Sequence, residues 1–231
     1  AYGNLGGREH EYGNIIRAAA NLAVETIHRS DAFYHDVEHT MMVTLVGQEI
    51  FRGKLLSEGT VSPRDWAHFT IALLCHDIGY VRGICEGDNN THAVIDTDGN
   101  TVAIPRGATD AFLTPYHVER GKMFVRSRFG DHPQLDAELI AHTIENTRFP
   151  VPEKSDAADV VDWAQLVQAA DLIGQMADPD YPSKLPMLFY EFEETGTNQS
   201  MGNDSPESLR ETYPNFFWNM VRQHIEPGIQ Y

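Results

Sequence analysis

Eight stretches of this chain repeat apolar residues at three- and four-residue intervals, which commits most of the polypeptide to amphipathic helices packed on one another. Residues 13–29 place Ile15, Ile16, Ala19, Leu22, Ala23 and Ile27 on one stripe, and residues 36–57 continue with Met41, Met42, Leu45, Val46, Ile50 and Leu55. "SPRDWAHFTIALLCHDIGY" opens with Ser62 as an N-cap and Pro63 at the first helical position, and Gly79 offers a left-handed stop at its end. "TPYHVERGKMFVRSRFG" opens with the same signal at Thr114 and Pro115 and closes at Gly130. Further helical segments are expected at 136–149, 156–178, 184–194 and 205–225. The fold class is therefore all-α, one domain over 1–231.

One region breaks this rhythm. Between 83 and 113, "THAVIDTDGNTVAIP" alternates apolar and polar residues on both sides of Asp98-Gly99, a strong hairpin signal. The reading is a small β-hairpin inserted between two helices, acting as a lid. A calcium loop built on Asp96, Asp98 and Asn100 is rejected, because the glycine is misplaced and Gly107 stands where the closing glutamate should be.

Composition narrows the function. The net charge of −17 repels phosphate backbones and anionic membranes, so no nucleic-acid polymer and no membrane surface is expected as a partner. No apolar run of eighteen residues exists, and "AYGNLGGREH" carries no basic or apolar leader. Cys75 and Cys85 are too few for a disulfide framework, and a cytoplasmic location follows as an expectation.

Where the eleven histidines fall then matters. His35 and His39 are four residues apart in "YHDVEHTMMV", a spacing that shares one helix face. "CHDIGY" sets His76 and Asp77 side by side at a helix end; His117 lies in the first turn of the next helix; His142 and Asp171 interrupt apolar stripes. Buried imidazoles and carboxylates are costly unless paired or metal-bound, so several on successive core-facing stripes point to an assembled site. His10, His28, His68, His92, His132 and His224 are read as ordinary core or surface residues.

The order His39, His76-Asp77, His117, His142, Asp171 on a helical chain resembles the HD-domain superfamily of metal-dependent phosphohydrolases. "YHDVEHTMMV" is similar to the Tyr-His-Asn-x-x-His signature of class I cyclic-nucleotide phosphodiesterases, and "CHDIGY" to their His-Asp motif. The resemblance runs from about Tyr34 to Asp171. It implies an HD-type helical bundle in which His39, His76, Asp77 and Asp171 hold a first divalent ion (Fe, Mn, Zn, Co or Ni). Asp77 would bridge to a second ion, Mg included, and His117 and His142 would complete that site. His35 matches the proton donor. Asp36 stands where those enzymes carry asparagine, and the C-terminal "MVRQHIEPGI" does not reproduce their purine-clamping glutamine motif, so nucleotide specificity is not carried over.

The chemistry is coherent. Two cations about 3.5–4 Å apart can activate a bridging water and clamp phosphoryl oxygens for in-line attack. Imidazole and carboxylate suit such ions, and a histidine outside the metal shell can protonate the leaving alkoxide. Catalytic roles fall to His35 and Asp77. Asp36 is expected to orient a histidine, and Arg82, Arg148 and Gln175 are candidates for substrate contact. The expected function is hydrolysis of a cyclic nucleotide or similar small phosphate diester, with a small-molecule phosphate ester as partner and a homodimer compatible with the sequence. A di-iron oxygenase of the myo-inositol oxygenase type shares the ligand order and is the alternative; a non-catalytic nucleotide-binding module is the second.

Overall fold

The computed structural model of the protein describes residues 10–148 and 162–231. Helices α1 (His10–Ile27), α2 (Val37–Glu58), α3 (Pro63–Cys75), α4 (His117–Phe129), α5 (Ala137–Thr143), α6 (Trp163–Ala177), α7 (Tyr181–Thr195), α8 (Thr197–Met201), α9 (Pro206–Phe216) and α10 (Arg222–Ile229) carry most of it. The fold is mostly helical, with a two-stranded sheet as its only β element among the described residues. No helix there is long and apolar enough to cross a membrane.

The main core lies where α2 packs on α3 and α6, with α1 against α3 and α10 against α6. Phe51, Phe69, Leu73, Ile140 and Leu166 are wholly buried in it. A second apolar cluster joins Tyr34 to Tyr181, Leu185, Leu188, Phe189 and Phe192 of α7 and Leu209 of α9. A cleft runs between the two, so the site has a helical scaffold on one side and the α7–α9 layer on the other.

Local signals explain several boundaries. Ser62 accepts from the Asp65 amide while Asp65 accepts from the Ser62 amide, a reciprocal cap with Pro63 in the first turn. Asp36 caps α2 by accepting from the backbone N–H of His39 at 3.0 Å, so it orients that histidine through the backbone. Gly59, at φ 67°, closes the same helix in the left-handed region.

Other expectations are corrected. Gly79 is no left-handed stop: α3 ends at Cys75, and Gly79 lies in a 3₁₀ turn, Ile78–Tyr80, pressed against the start of α4. A Cβ there would overlap the His117 carbonyl oxygen, so glycine is required by close approach. Thr114 does not cap α4. Its hydroxyl donates to Ala111 O, closing a separate 3₁₀ turn, Asp110–Leu113, and α4 starts at His117. The 136–149 segment breaks after Thr143 into a 3₁₀ turn, Glu145–Thr147, where threonine hydroxyls bond backbone carbonyls; residue 149 lies outside the described residues, as do 156–161 of the next expected helix. The 205–225 helix passes through a π turn, Phe217–Val221, just after Pro214, whose ring lacks an N–H and crowds the preceding turn.

On α2 the expected stripe holds at Ile50, which is buried, and at Val46 and Leu55, which pack on the core, but not at Met41 and Leu45. Met41 and Leu45 are 53% and 59% exposed, while His39, Val43, Gly47, Ile50 and Phe51 face inward. Gly47 on the inward face lets Leu73 of α3 approach closely.

The hairpin exists: β1 (His92–Val94) pairs antiparallel with β2 (Thr101–Ala103), Ala93 opposite Val102. It is not a lid. No residue of 83–113 lines the cleft. The insert is instead tied down by Arg120 of α4, which is 0% exposed and donates to both Asp88 oxygens and to the carbonyls of Gly79, Val81 and Val94. Thr109 is held by Glu194 at 2.6 Å. Shortening the exposed tip, "IDTDGNTV", should therefore leave the NMR shifts of cleft-lining residues such as Tyr80 and His117 unchanged.

His68 shows how the core accommodates an imidazole that takes no part in the site. Its Nδ1 donates to Arg64 O at 2.7 Å and its Nε2 accepts from the Asp136 amide at 2.7 Å, an arrangement that requires the neutral ring. Burial pushes its pKa below the usual value. The folded state thus binds fewer protons than the unfolded chain, and this contribution to stability is present above the ordinary histidine range and lost as pH falls through it. His68→Gln should flatten the decline of Tm between about pH 7 and 5, read by calorimetry in a pH series.

Candidate metal centre and cleft

Four side chains from three elements meet at the floor of the cleft. α2 contributes His39 from its first turn; the end of α3 contributes His76 and, one residue on, Asp77; α6 contributes Asp171 from its middle. His39 Nε2 lies 3.2 Å from Asp171 Oδ1 and 3.4 Å from Asp77 Oδ2, and His76 Nε2 lies 3.1 Å from Asp77 Oδ2. Ligand atoms of His39, His76 and Asp171 all fall within 4.8 Å of one another. Asp77 turns its other oxygen, Oδ1, toward His117 Nε2 at 3.9 Å.

The tautomers are fixed by the backbone. His76 Nδ1 donates to Leu73 O at 2.8 Å, and His117 Nδ1 donates to Thr114 O at 2.6 Å; a carbonyl only accepts, so each ring presents its Nε2 to the centre. His76 Nε2 and Asp77 Oδ2 are shut away from solvent without a hydrogen bond of good geometry. Buried polar atoms left this way are costly. A divalent transition-metal ion is what two imidazole nitrogens and two carboxylates at these separations fit. Burial alone would push both aspartates up, yet His76 beside Asp77, and His39 and His76 beside Asp171, hold them well below the carboxylate range. His117, by burial, stays below the usual histidine value and hence neutral.

His35 sits next to this floor, but not as a helical i−4 neighbour. It precedes α2, since Asp36 is the cap, and reaches the site through tertiary contacts. Its Nδ1 contacts Glu191 Oε2 of α7 at 2.5 Å, and its ring stacks on Tyr80 at 4.5 Å between centroids. Tyr80 in turn stacks on His117 at 4.7 Å, so a phenol is sandwiched between two imidazoles. Burial pushes the His35 pKa down, but the Glu191 carboxylate more than offsets it and raises the value to about 9. Glu191, itself buried, also accepts the Tyr34 amide at 2.6 Å and the His35 amide at 3.3 Å.

The remaining expected residues divide. His142 is not part of the site: α5 turns it outward, its side chain is 63% exposed, and Nε2 meets Asp162 at 3.0 Å. Ala137, Ile140, Ala141 and Thr143 occupy the inward positions of that helix. Arg82 is also elsewhere, engaged by Asp31 and Asp110. Arg148 does line the cleft, paired with Glu119 and Glu145, and Gln175 lines it beside Tyr34 and Tyr181. Sequence reasoning missed Glu191 and Tyr80. The visible signal for Glu191 is one acid amid the apolar "LFYEF"; for Tyr80 it is an aromatic residue directly after "HDIG".

The cleft encloses about 910 Å³, its open mouth included. Among the cleft-lining described residues, Arg148 is the one arginine or lysine, and its two carboxylate partners already neutralise it. Removing His142 is a direct check on the ligand set: His142→Ala should leave metal content and affinity unchanged, measured by inductively coupled plasma mass spectrometry after dialysis, whereas loss of an equivalent would restore it as a ligand.

No curated protein and no solved structure matches the chain. A family does match, over residues 1–231: the chain belongs to the family described as Npun_R2479-like.

Proposed function

We propose that the chain is a metal-dependent phosphohydrolase that cleaves a small phosphate diester. The observation that carries this reading is the convergence of His39, His76, Asp77 and Asp171, with the His76 tautomer fixed by the backbone and two buried donor atoms lacking other satisfaction. These four residues would hold the ion. When bound, such an ion supplies Lewis-acid polarisation of the phosphoryl group and a water of lowered pKa. His35, kept protonated by Glu191, would donate a proton to the leaving oxygen through Nε2, since Nδ1 is committed to Glu191. Tyr80 and Glu191 hold the His35 ring from its face and its edge.

Charge favours a diester over a polyanionic monoester. The cleft has no arginine or lysine free of carboxylate partners among the described residues, so a singly charged phosphoryl group suits it better than a dianion. Around Asp77 Oδ1, His117 is the additional donor at hand, and with His142 on the outer face the second position lacks a complete set among the described residues. The proposal is therefore one tightly held ion per chain, with a second held weakly if at all. That same shortfall removes the ligand-order argument for the di-iron oxygenase.

The test is to measure metal content of the purified protein and assay bis-(p-nitrophenyl) phosphate, p-nitrophenyl phosphate, cyclic AMP and cyclic GMP under Mn²⁺, Fe²⁺, Co²⁺, Zn²⁺ and Mg²⁺. Diester turnover that requires a divalent ion supports the reading. A protein that retains stoichiometric metal yet hydrolyses neither class of ester, while consuming O₂ with a polyol, overturns it.

A further inference from the structure

The cleft is chemically two-sided. Its metal floor is polar, but the wall contributed by α7, α8 and α9 presents Leu188, Phe192, Met201, Leu209 and Phe216. At the depth where the two sides meet stand Tyr181 and Tyr213, their rings 5.3 Å apart. Both phenolic oxygens are shut away from solvent, close to each other and, for Tyr181, to Gln175, yet neither makes a hydrogen bond of good geometry. A wall of this kind rewards burial of carbon, and its two phenols reward one polar atom at a fixed depth.

We infer that this wall is a binding subsite for the esterifying group of the substrate, and that the group is chiefly apolar, alkyl or simple aryl, with one hydrogen-bond acceptor to engage the hydroxyls of Tyr181 and Tyr213, whose side chains must turn toward the cleft to reach it. The inference rests on the phosphoester reading for the identity of the head group. A nucleobase fits the wall poorly. Its edge carries several donors and acceptors, and two polar side chains of the cleft, Gln168 and Thr212, are already engaged. Gln168 donates to Asn146 O at 2.7 Å and accepts from His224 at 3.0 Å. Thr212 donates to Asn203 Oδ1 at 3.0 Å. Base edges left unpaired beside Leu209 and Phe216 would lose more than stacking on the rings returns.

The experiment is calorimetric titration of the protein, loaded with a divalent ion that supports no turnover, with methylphosphonate monoesters, which keep the one negative charge of a diester. The alkyl series runs methyl, propyl, pentyl and heptyl, beside a phenyl ester, a 3-oxapentyl ester and an adenosine 5′-ester. Affinity is expected to rise by roughly threefold to fourfold per methylene until the wall is covered. The adenosine ester should bind no more tightly than the propyl ester. In Tyr213→Phe the 3-oxapentyl ester should lose affinity relative to pentyl, while the alkyl slope persists. A flat alkyl series, or an adenosine ester that outbinds every alkyl and aryl ester, overturns the inference. Should Tyr213→Phe fail to fold, the wild-type series still decides. The two readings fail separately: chain-length dependence that survives chelation of the metal, together with no ester hydrolysis in the earlier assay, sinks the phosphohydrolase and leaves the apolar subsite standing.

Discussion

His39→Ala should abolish metal retention and reduce turnover of every ester, whatever its leaving group, whereas His35→Ala should keep both its ion and its fold. The difference follows from position. His39 Nε2 points at Asp171 and Asp77, while His35 is fastened to Glu191 and stacked on Tyr80. For a diester with a basic alkoxide leaving group, loss of a general acid should lower kcat/KM by about 10²–10⁴-fold. For p-nitrophenyl esters, whose leaving group scarcely needs a proton, the loss should be far smaller. A donor must carry its proton, so the wild-type rate on alkoxide substrates should fall as pH rises through about 9, the value to which Glu191 raises His35. In Glu191→Gln that limb should move to lower pH. Equal losses on both substrate types, or metal lost from His35→Ala, would remove His35 from the acid role.

Arg120→Met should be the most destabilising single change outside the cleft. The guanidinium is fully buried and satisfies Asp88 together with three carbonyls from two segments, so its removal leaves those carbonyls unpaired and the Asp88 carboxylate without a counter-charge, held only by the amides of Gly83, Cys85 and Val94. Breaking one side of a buried pair costs about 3–5 kcal/mol. For a domain of this size that corresponds to a fall in Tm of roughly 6–20 °C. Asp88→Asn in the same background should cost less than the two single changes summed, because both report one network. A Tm within two or three degrees of wild type would mean the insert is held by something other than this arginine.

What the sequence disclosed depended on whether the physics was local. Ser62 and Pro63 act over three or four residues and are found where spacing predicts, and the hairpin forms, but its turn spans Asp96–Gly99 rather than Asp98-Gly99 alone. The convergence of His39, His76, Asp77 and Asp171 was legible for a different reason: polar residues that interrupt apolar helical stripes are costly to bury singly and so tend to meet. His142 met the same criterion on paper, but seven helical residues leave two faces to choose between, and Ala137, Ile140 and Ala141 took the inner one. Met41 and Leu45 misled in the same way, since an apolar residue at a surface costs little. Glu191 and Arg120 were out of reach because their partners lie 156 and 32 residues away. The insert's role as an anchored strut follows from those long-range bonds and leaves no trace in its alternating pattern.

Glu191 also bears on how the protein can move. One carboxylate of α7 holds the amides of Tyr34 and His35 and the His35 ring, and those residues lead straight into the helix that carries His39. The apolar wall and the polar floor are thus laced together at a buried point, besides the more exposed Lys184–Glu38 pair, and hinge opening of one against the other would require the three bonds to Glu191 to break at once. Ligand exchange by rigid swinging of α7 is therefore expected to be slow. The faster route is rotation of side chains at the mouth, Arg148 among them. Spin-relaxation measurements should accordingly find fast side-chain motion at the rim, and relaxation dispersion a quiet backbone at Tyr34, His35 and Glu191.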